Sequence, residues 1–278
     1  MVGLVSLVTR LLVGVAFDAW RVSELGLASR LWNEVPERTL TILDRLYHSA
    51  QILWMFSVQG GERHFLVRAK STWRFKLVEE LADGSRLVTL YASAGARRKN
   101  PGMPRTVLVR AVPYSDRDHN KQFLFTSLLD PEKYPAEEIR GLYHKRWEIE
   151  IAWSELKVTM KADDRPLRSK APAGVLQELW GLWLAYNLVR VDMVKLADRL
   201  GVEPLRLSFK RCLQQTELAV LPLALVGKLP SELDDVSHLL NPPRRPGRRY
   251  PRLVKSRASR FSSKTPHRMA LFRLKEAA

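Results

Sequence analysis

The chain has 278 residues, 46% of them hydrophobic and 27% charged, the make-up of a soluble globular protein with a sizeable core. A formal charge of +17 is far from that of an average enzyme and favours a polyanionic partner, most often nucleic acid. A single cysteine, Cys212, excludes an internal disulfide framework and a zinc ribbon; it suits a reducing cytoplasm and reads as a small buried hydrophobe.

Met1 to Ala19 reads as two β-rich runs, VGLVSLVT and LLVGVAFDA. Arg10 interrupts this apolar stretch, which is too short to span a membrane. Ser23 is an N-cap for a helix predicted to reach Leu31, with Leu25, Ala28, Leu31 and Trp32 on one side. After the turn at Pro36, TLTILD forms a short strand ending on Asp44. A carboxylate there sits where α/β folds place their sites, and it can equally cap the following helix, YHSAQILWMF, which Gly60-Gly61 ends.

From Arg63 the pattern turns to short β runs, HFLVRAKS, RFKLVEEL, SRLVTLYA, RTVLVRAVPY and KQFLFTSLL, separated by turns such as Asp83-Gly84-Ser85 and Asn100-Pro101-Gly102. Lys70, Arg74, Lys76, Arg97, Arg98, Lys99 and Arg105 make this segment basic. Trp73 lies among them, either as a stacking platform for a base or as an ordinary core or rim tryptophan.

Pro135 opens a long helix, with Glu137 and Glu138 at its positive end. At about 100° per residue, Tyr143, Arg146, Glu150 and Lys157 share one narrow ridge, while Leu142, Ile149 and Leu156, with Trp153 beside them, form a stripe facing a core. Spacing alone leaves a solvated charged face open as the plainer reading. A loop, KADDRPLRSKAPA, follows. Gly174 to Leu200 is an almost wholly apolar helical run expected to be buried, and Leu205 to Val226 is a further helix. Arg244 to Arg268 carries ten Lys or Arg and no acid, the composition of an arm lying over nucleic acid.

Tyr143, Arg146, Glu150 and Lys157, spaced Y-x2-R-x3-E-x6-K, match the Tyr-Arg-Glu-Lys motif of the insertion-sequence-4 family of DDE transposases. The resemblance extends through LLDPEKYPAEEIRGLYHKRWEIE, LRSKAPAGVLQELWGLWLAYNLVR, LSFKRCL and HFLVRAKSTWRFKLVEELADGS. TLTILDRLYHSA resembles the strand bearing the family's second catalytic aspartate, here Asp44, although Leu46 and Tyr47 replace the usual glycine and phenylalanine.

The resemblance implies an α/β fold with an RNase H-like core, a β-rich insertion, C-terminal helices and a basic tail. The divisions would be 1–62 for the first part of the core, 63–120 for the insertion, 121–240 for the remainder and 241–278 for the tail. It implies Asp44 and Glu150 as catalytic ligands of two divalent metals, normally magnesium with manganese as a substitute. Arg146, Lys157 and Tyr143 would contact DNA. The partners implied are element ends, target DNA, and a second copy or a full-length transposase, in the cytoplasm at the nucleoid and away from membrane. The family's first aspartate has no counterpart here; Asp18 falls too late and reads as a turn residue. An incomplete metal site is therefore expected, and with it weak or absent activity. A DNA-binding remnant or inhibitor, and a structure-dependent nuclease, are the competing readings.

Overall fold

The computed structural model describes residues 1–19, 21–58, 61–70, 75–115, 121–161, 166–226 and 237–242. Trp73, Arg74, Gly60, part of the loop after Lys161 and the basic stretch from Arg244 to Arg268 lie outside them.

The N-terminal apolar runs form a hairpin in which β1 (Val2–Val5) pairs antiparallel with β2 (Leu12–Ala16). Its loop closes through the Ser6 amide on Leu11 O and the Arg10 amide on Ser6 O, leaving Arg10 at φ 57°, a conformation that side chains seldom adopt. Ser23 caps α1 (Glu24–Ala28), its hydroxyl accepting the Gly26 amide at 3.1 Å. This helix stops before Leu31. The amides of Arg30 and Leu31 bond three residues back, to Leu27 and Ala28, and this tighter winding leads into a 3-10 turn, Trp32–Glu34. Ala28, Leu31 and Trp32 are buried, whereas Leu25 faces solvent.

A six-stranded sheet follows. Its strands are β3 (Leu40–Leu43), β4 (His64–Arg68), β5 (Phe75–Glu80), β6 (Arg86–Tyr91), β7 (Thr106–Ser115) and β8 (Lys121–Thr126). Their spatial order is β3-β4-β8-β7-β6-β5. Only β3 and β4 are parallel, with α2 (Ala50–Val58) as the crossover that a parallel pair requires. The strands of the β-rich stretch thus continue the sheet that carries Asp44. Arg97, Arg98 and Lys99 end a short helix, α3 (Ala94–Lys99), at the terminus whose dipole favours cations.

The sheet is covered on both faces at β4, β8 and part of β7, whereas Leu77 and Val78 of β5 face solvent. Leu53 and Phe56 of α2 pack on Phe65, Val67, Val88, Val109 and Phe125. On the opposite face, Ala136, Ile139 and Tyr143 pack on Leu66, Val112 and Leu124. β4 therefore reads HFLVR, a continuous apolar run, because both its faces are buried.

The long helix begins as α4 (Ala136–His144), tightens to a 3-10 turn at Lys145–Trp147, resumes as α5 (Glu148–Ser154) and widens to a π-helix at Glu155–Met160. α6 (Pro172–Leu200) and α7 (Phe209–Val226) complete a second core, in which Ala152 and Leu156 meet Tyr186, Val189, Met193, Ala197, Phe209 and Cys212. Cys212 is a free, buried thiol whose pKa burial pushes up to about 11.

The expectation that the apolar run of α6 is wholly buried does not hold. Helices pack on it from one side only, so Tyr186, Val189 and Met193 are buried while Leu176, Trp180, Leu184 and Leu188 face outward. Among the described residues no helix is long and apolar enough to cross a membrane. Met1–Asn241 form one compact unit.

Candidate active site

Asp44 follows the last residue of β3, at the end of a strand that its parallel partner β4 holds in register. Its side chain is exposed, and one carboxylate oxygen accepts the Arg45 amide at 2.7 Å, capping a 3-10 turn, Arg45–Tyr47. Asp44 therefore caps this turn and not the following helix, α2, whose first amides bond to Ser49 instead. Two residues beyond the turn's start, Tyr47 is pushed up to about 12 by burial, with Glu24 and Asp44 adding to the shift. His48 is 1% exposed, accepts the Lys70 amide on Nδ1 at 2.9 Å, and has its pKa lowered to about 4 by burial, assisted by Lys70 and Arg45.

Glu150 projects from the first turn of α5, with its side chain 40% exposed and 3.0 Å from Arg146. Asp44, Arg146, Ile149, Glu150 and Trp153 line a single cleft of about 730 Å³, together with β1 and β3. The structure therefore brings the end of one strand and the middle of the long helix to the same opening. Sequence separation gives no hint of that proximity.

The four motif residues do not make one exposed row. Tyr143 is 5% exposed, with its ring 5.5 Å from that of Tyr114 in a T-shaped contact. Burial raises its pKa to about 12; Arg146 and Arg68 oppose the shift and Asp44 adds to it, so its hydroxyl end lies within electrostatic reach of the cleft. Between Tyr143 and Arg146 the helix tightens, and beyond Ser154 it widens, the Lys161 amide bonding Leu156 O five residues back. Uniform 100° steps fail across such irregularities. Lys157 is exposed and stands 5.8 Å from the centre of the Trp153 ring, beside the cleft.

Two buried networks that were not apparent from spacing hold this helix. At its start, Arg110, wholly buried, pairs with Asp83 and donates to Tyr134 O at 2.7 Å and to Leu128 O and Asp130 O at 3.3 Å. Asp83 also accepts the Ala136 amide at 3.0 Å, capping α4 from a distant turn. Burial would raise the Asp83 pKa, but Ser85, Arg110 and the Ala136 amide outweigh it and hold the carboxyl below its usual value.

At the far end, Glu155 accepts from Arg10 at 2.8 Å and pairs with Arg190, which is 1% exposed; the Tyr186 hydroxyl lies 3.1 Å from the same carboxylate. Arg10 also donates to Glu148 at 2.6 Å, so the hairpin loop clamps α5. In each network the available sequence signal was a lone arginine inside an apolar run: LVTRLLV, VLVRAV and NLVRVDM. Such a cation is tolerated in a core only when it is paired.

Asp44 and Glu150 offer oxygen donors of the kind a hard divalent cation takes, one or two carboxylates sufficing when waters fill the remaining positions. Among the described residues no three His, Cys, Asp or Glu side chains converge as a metal cage; Glu24, the third acid on the cleft wall, does not group with the other two.

A family model described as Transposase DDE domain matches residues 1–188. The chain belongs to the DDE transposases. It is 36% identical, over 94% of its length, to Transposase InsG for insertion sequence element IS4 of Escherichia coli K12. It is also 25% identical to the InsZ protein of the same strain over 41% of its length. The chain spans 60% of the InsG protein and 42% of InsZ.

Proposed function

We propose that this DDE transposase chain binds the ends of an insertion sequence and carries out metal-dependent DNA cleavage and strand transfer. The observation that supports it most is that Asp44 and Glu150 line one cleft, with Arg146 on its wall 3.0 Å from Glu150. Asp44 and Glu150 would hold divalent metal, magnesium or manganese in its place. Bound metal would supply an activated oxygen nucleophile and neutralise charge on the departing one. Arg146 and Lys157 would grip phosphates, Arg146 releasing Glu150 as it does so, since the pair is exposed enough to exchange partners. Tyr143 would reach the DNA backbone through its hydroxyl alone, its ring being fixed in the core. Trp73 would stack on a base.

The reading includes an RNase H-like core divided at 1–62, 63–120, 121–240 and 241–278. Its partners would be DNA and a second copy or full-length transposase, and its place the cytoplasm at the nucleoid. The test is cleavage of terminal-repeat DNA with magnesium. Loss of cleavage in both Asp44→Ala and Glu150→Ala, with folding intact, is expected; cleavage that survives Glu150→Ala would remove that residue from the site.

A second reading, DNA binding without catalysis, draws on the lack of any convergent group of three His, Cys, Asp or Glu side chains among the described residues. It predicts salt-sensitive DNA binding with no cleavage at any magnesium concentration.

A further inference from the structure

The helix that carries Glu150 changes its winding one turn further on. From Glu155 to Met160 it is a π turn, in which the Lys161 amide bonds Leu156 O at 3.2 Å, five residues back. Such turns are rare, and they recur inside α-helices at functional sites. One persists only where its surroundings hold it. Glu155, the first residue of the turn, supplies that hold. Its two carboxylate oxygens are engaged by different elements. Oε1 accepts from Arg10 Nη1, in the β1–β2 loop, at 2.8 Å. Oε2 pairs with Arg190 of α6 and lies 3.1 Å from the Tyr186 hydroxyl, to which Arg190 Nε donates at 3.1 Å.

The next residue, Leu156, is buried in the core that holds Tyr186 and Val189, whereas Lys157 and Val158 are exposed. Lys157 thus lies inside the wider turn, and the π winding, not that of α5, sets its direction round the helix axis. Its ammonium stands 5.8 Å from the centre of the Trp153 ring, and Trp153 lines the cleft with Asp44 and Glu150. An ordinary α turn in the same place would carry Lys157 further round the axis, away from this direction.

We infer that Glu155 is a positioning residue: its ion pairs to Arg10 and Arg190 hold the π turn, and the π turn aims Lys157 at the phosphate it grips. The inference rests on the reading of Lys157 as a phosphate contact. Glu155 acts through Lys157 alone, since its own side chain is 13% exposed and both its oxygens are taken. The lysine stem flexes but its root does not, so the turn decides the side of the helix from which the ammonium reaches.

The test is the salt dependence with which the full chain binds a duplex carrying the element's terminal repeat, without divalent metal. The log–log slope counts neutralised phosphates and, unlike the affinity, does not move when a variant is merely less stable. Lys157→Ala should reduce the slope by about 0.9, Glu155→Gln by the same amount, and the double variant no further. Glu148→Gln is the control. It removes the same charge from the same Arg10 but lies before the π turn, and it should leave the slope unchanged. An unchanged slope in Glu155→Gln beside a reduced one in Lys157→Ala overturns the inference and keeps Lys157 as a phosphate contact. So does an equal reduction in Glu148→Gln, or a further drop of about 0.9 in the double variant. An unchanged slope in Lys157→Ala overturns the inference and the phosphate reading together. Where Glu155→Gln fails to fold, Arg10→Gln loosens the turn from one side and leaves Arg190 on Glu155. Amide exchange at Lys161, whose bond spans the turn, should then quicken by about threefold or more in the DNA-free chain, and an unchanged rate overturns the inference.

Discussion

The carboxylate of Asp83 joins two distant parts of the chain: it pairs with the buried guanidinium of Arg110 and accepts the amide of Ala136, the first residue of the helix that carries Glu150. Asp83→Ala leaves the wholly buried Arg110 without its anion and the Ala136 amide without its acceptor. Breaking a buried pair from one side costs about 3–5 kcal/mol. Urea unfolding should show that loss; a change below about 1 kcal/mol would mean that the pair does not hold the helix start.

Glu155 answers two arginines, one of them wholly buried. Glu155→Ala should therefore destabilise by a similar ~3–5 kcal/mol, because it strands the buried Arg190, whereas Arg10 keeps Glu148. Replacing Glu155 and Arg190 together by apolar residues should recover much of it. A double variant as unstable as the sum of the single ones would contradict the pairing.

His48 gives a pH dependence with a definite sign. Its folded pKa, about 4, lies below the ordinary 6.5, so the unfolded chain takes up a proton first as pH falls. The stability it contributes is complete above pH 6.5 and is lost progressively down to pH 4, by at most about 3 kcal/mol. The Asp83 carboxyl, held below its usual value, withdraws stability at still lower pH, as pH falls from the ordinary aspartate range through its folded pKa. Stability measured in urea at half-unit pH steps should fall across 6.5–4, and His48→Gln should flatten that fall. An unchanged slope in the variant would exclude His48 as its source.

Arg146→Ala tests phosphate contact separately from catalysis. If Arg146 neutralises one phosphate, the log–log salt slope of DNA binding should decrease by about 0.9. Lys157→Ala, across the π turn, should do the same independently. A weaker affinity with an unaltered slope would point to a positional effect instead.

Cys212 should resist thiol reagents in the folded chain, since its pKa is pushed up to about 11 and its side chain is buried. Labelling that proceeds at the rate of the urea-unfolded protein would show that α7 opens readily around it.

Much of the architecture was legible because each element announces itself locally. The Ser23 cap, the alternating β runs and the Pro135 helix start depend on neighbours within a few residues. The extent of burial was less legible. The apolar sequence of α6 said that it could be buried, but not that helices cover one face and leave Trp180 and Leu184 outward. The shared ridge of Tyr143, Arg146, Glu150 and Lys157 assumed one uniform pitch, whereas this helix tightens at Lys145 and widens at Glu155, and spacing could not say that the Tyr143 ring packs on the sheet.

By itself the sequence determined the family, the carboxylates worth naming and the order of strands and helices, since motif spacing and periodicity are properties of the chain. Only the tertiary structure decided that lone arginines at 10, 110 and 190 are paired anchors, and that β1, β3 and the long helix line the cleft that Asp44 and Glu150 share. Each of these is a contact between residues far apart along the chain. Which distant partners meet is fixed by how the sheet and helices pack around their cores.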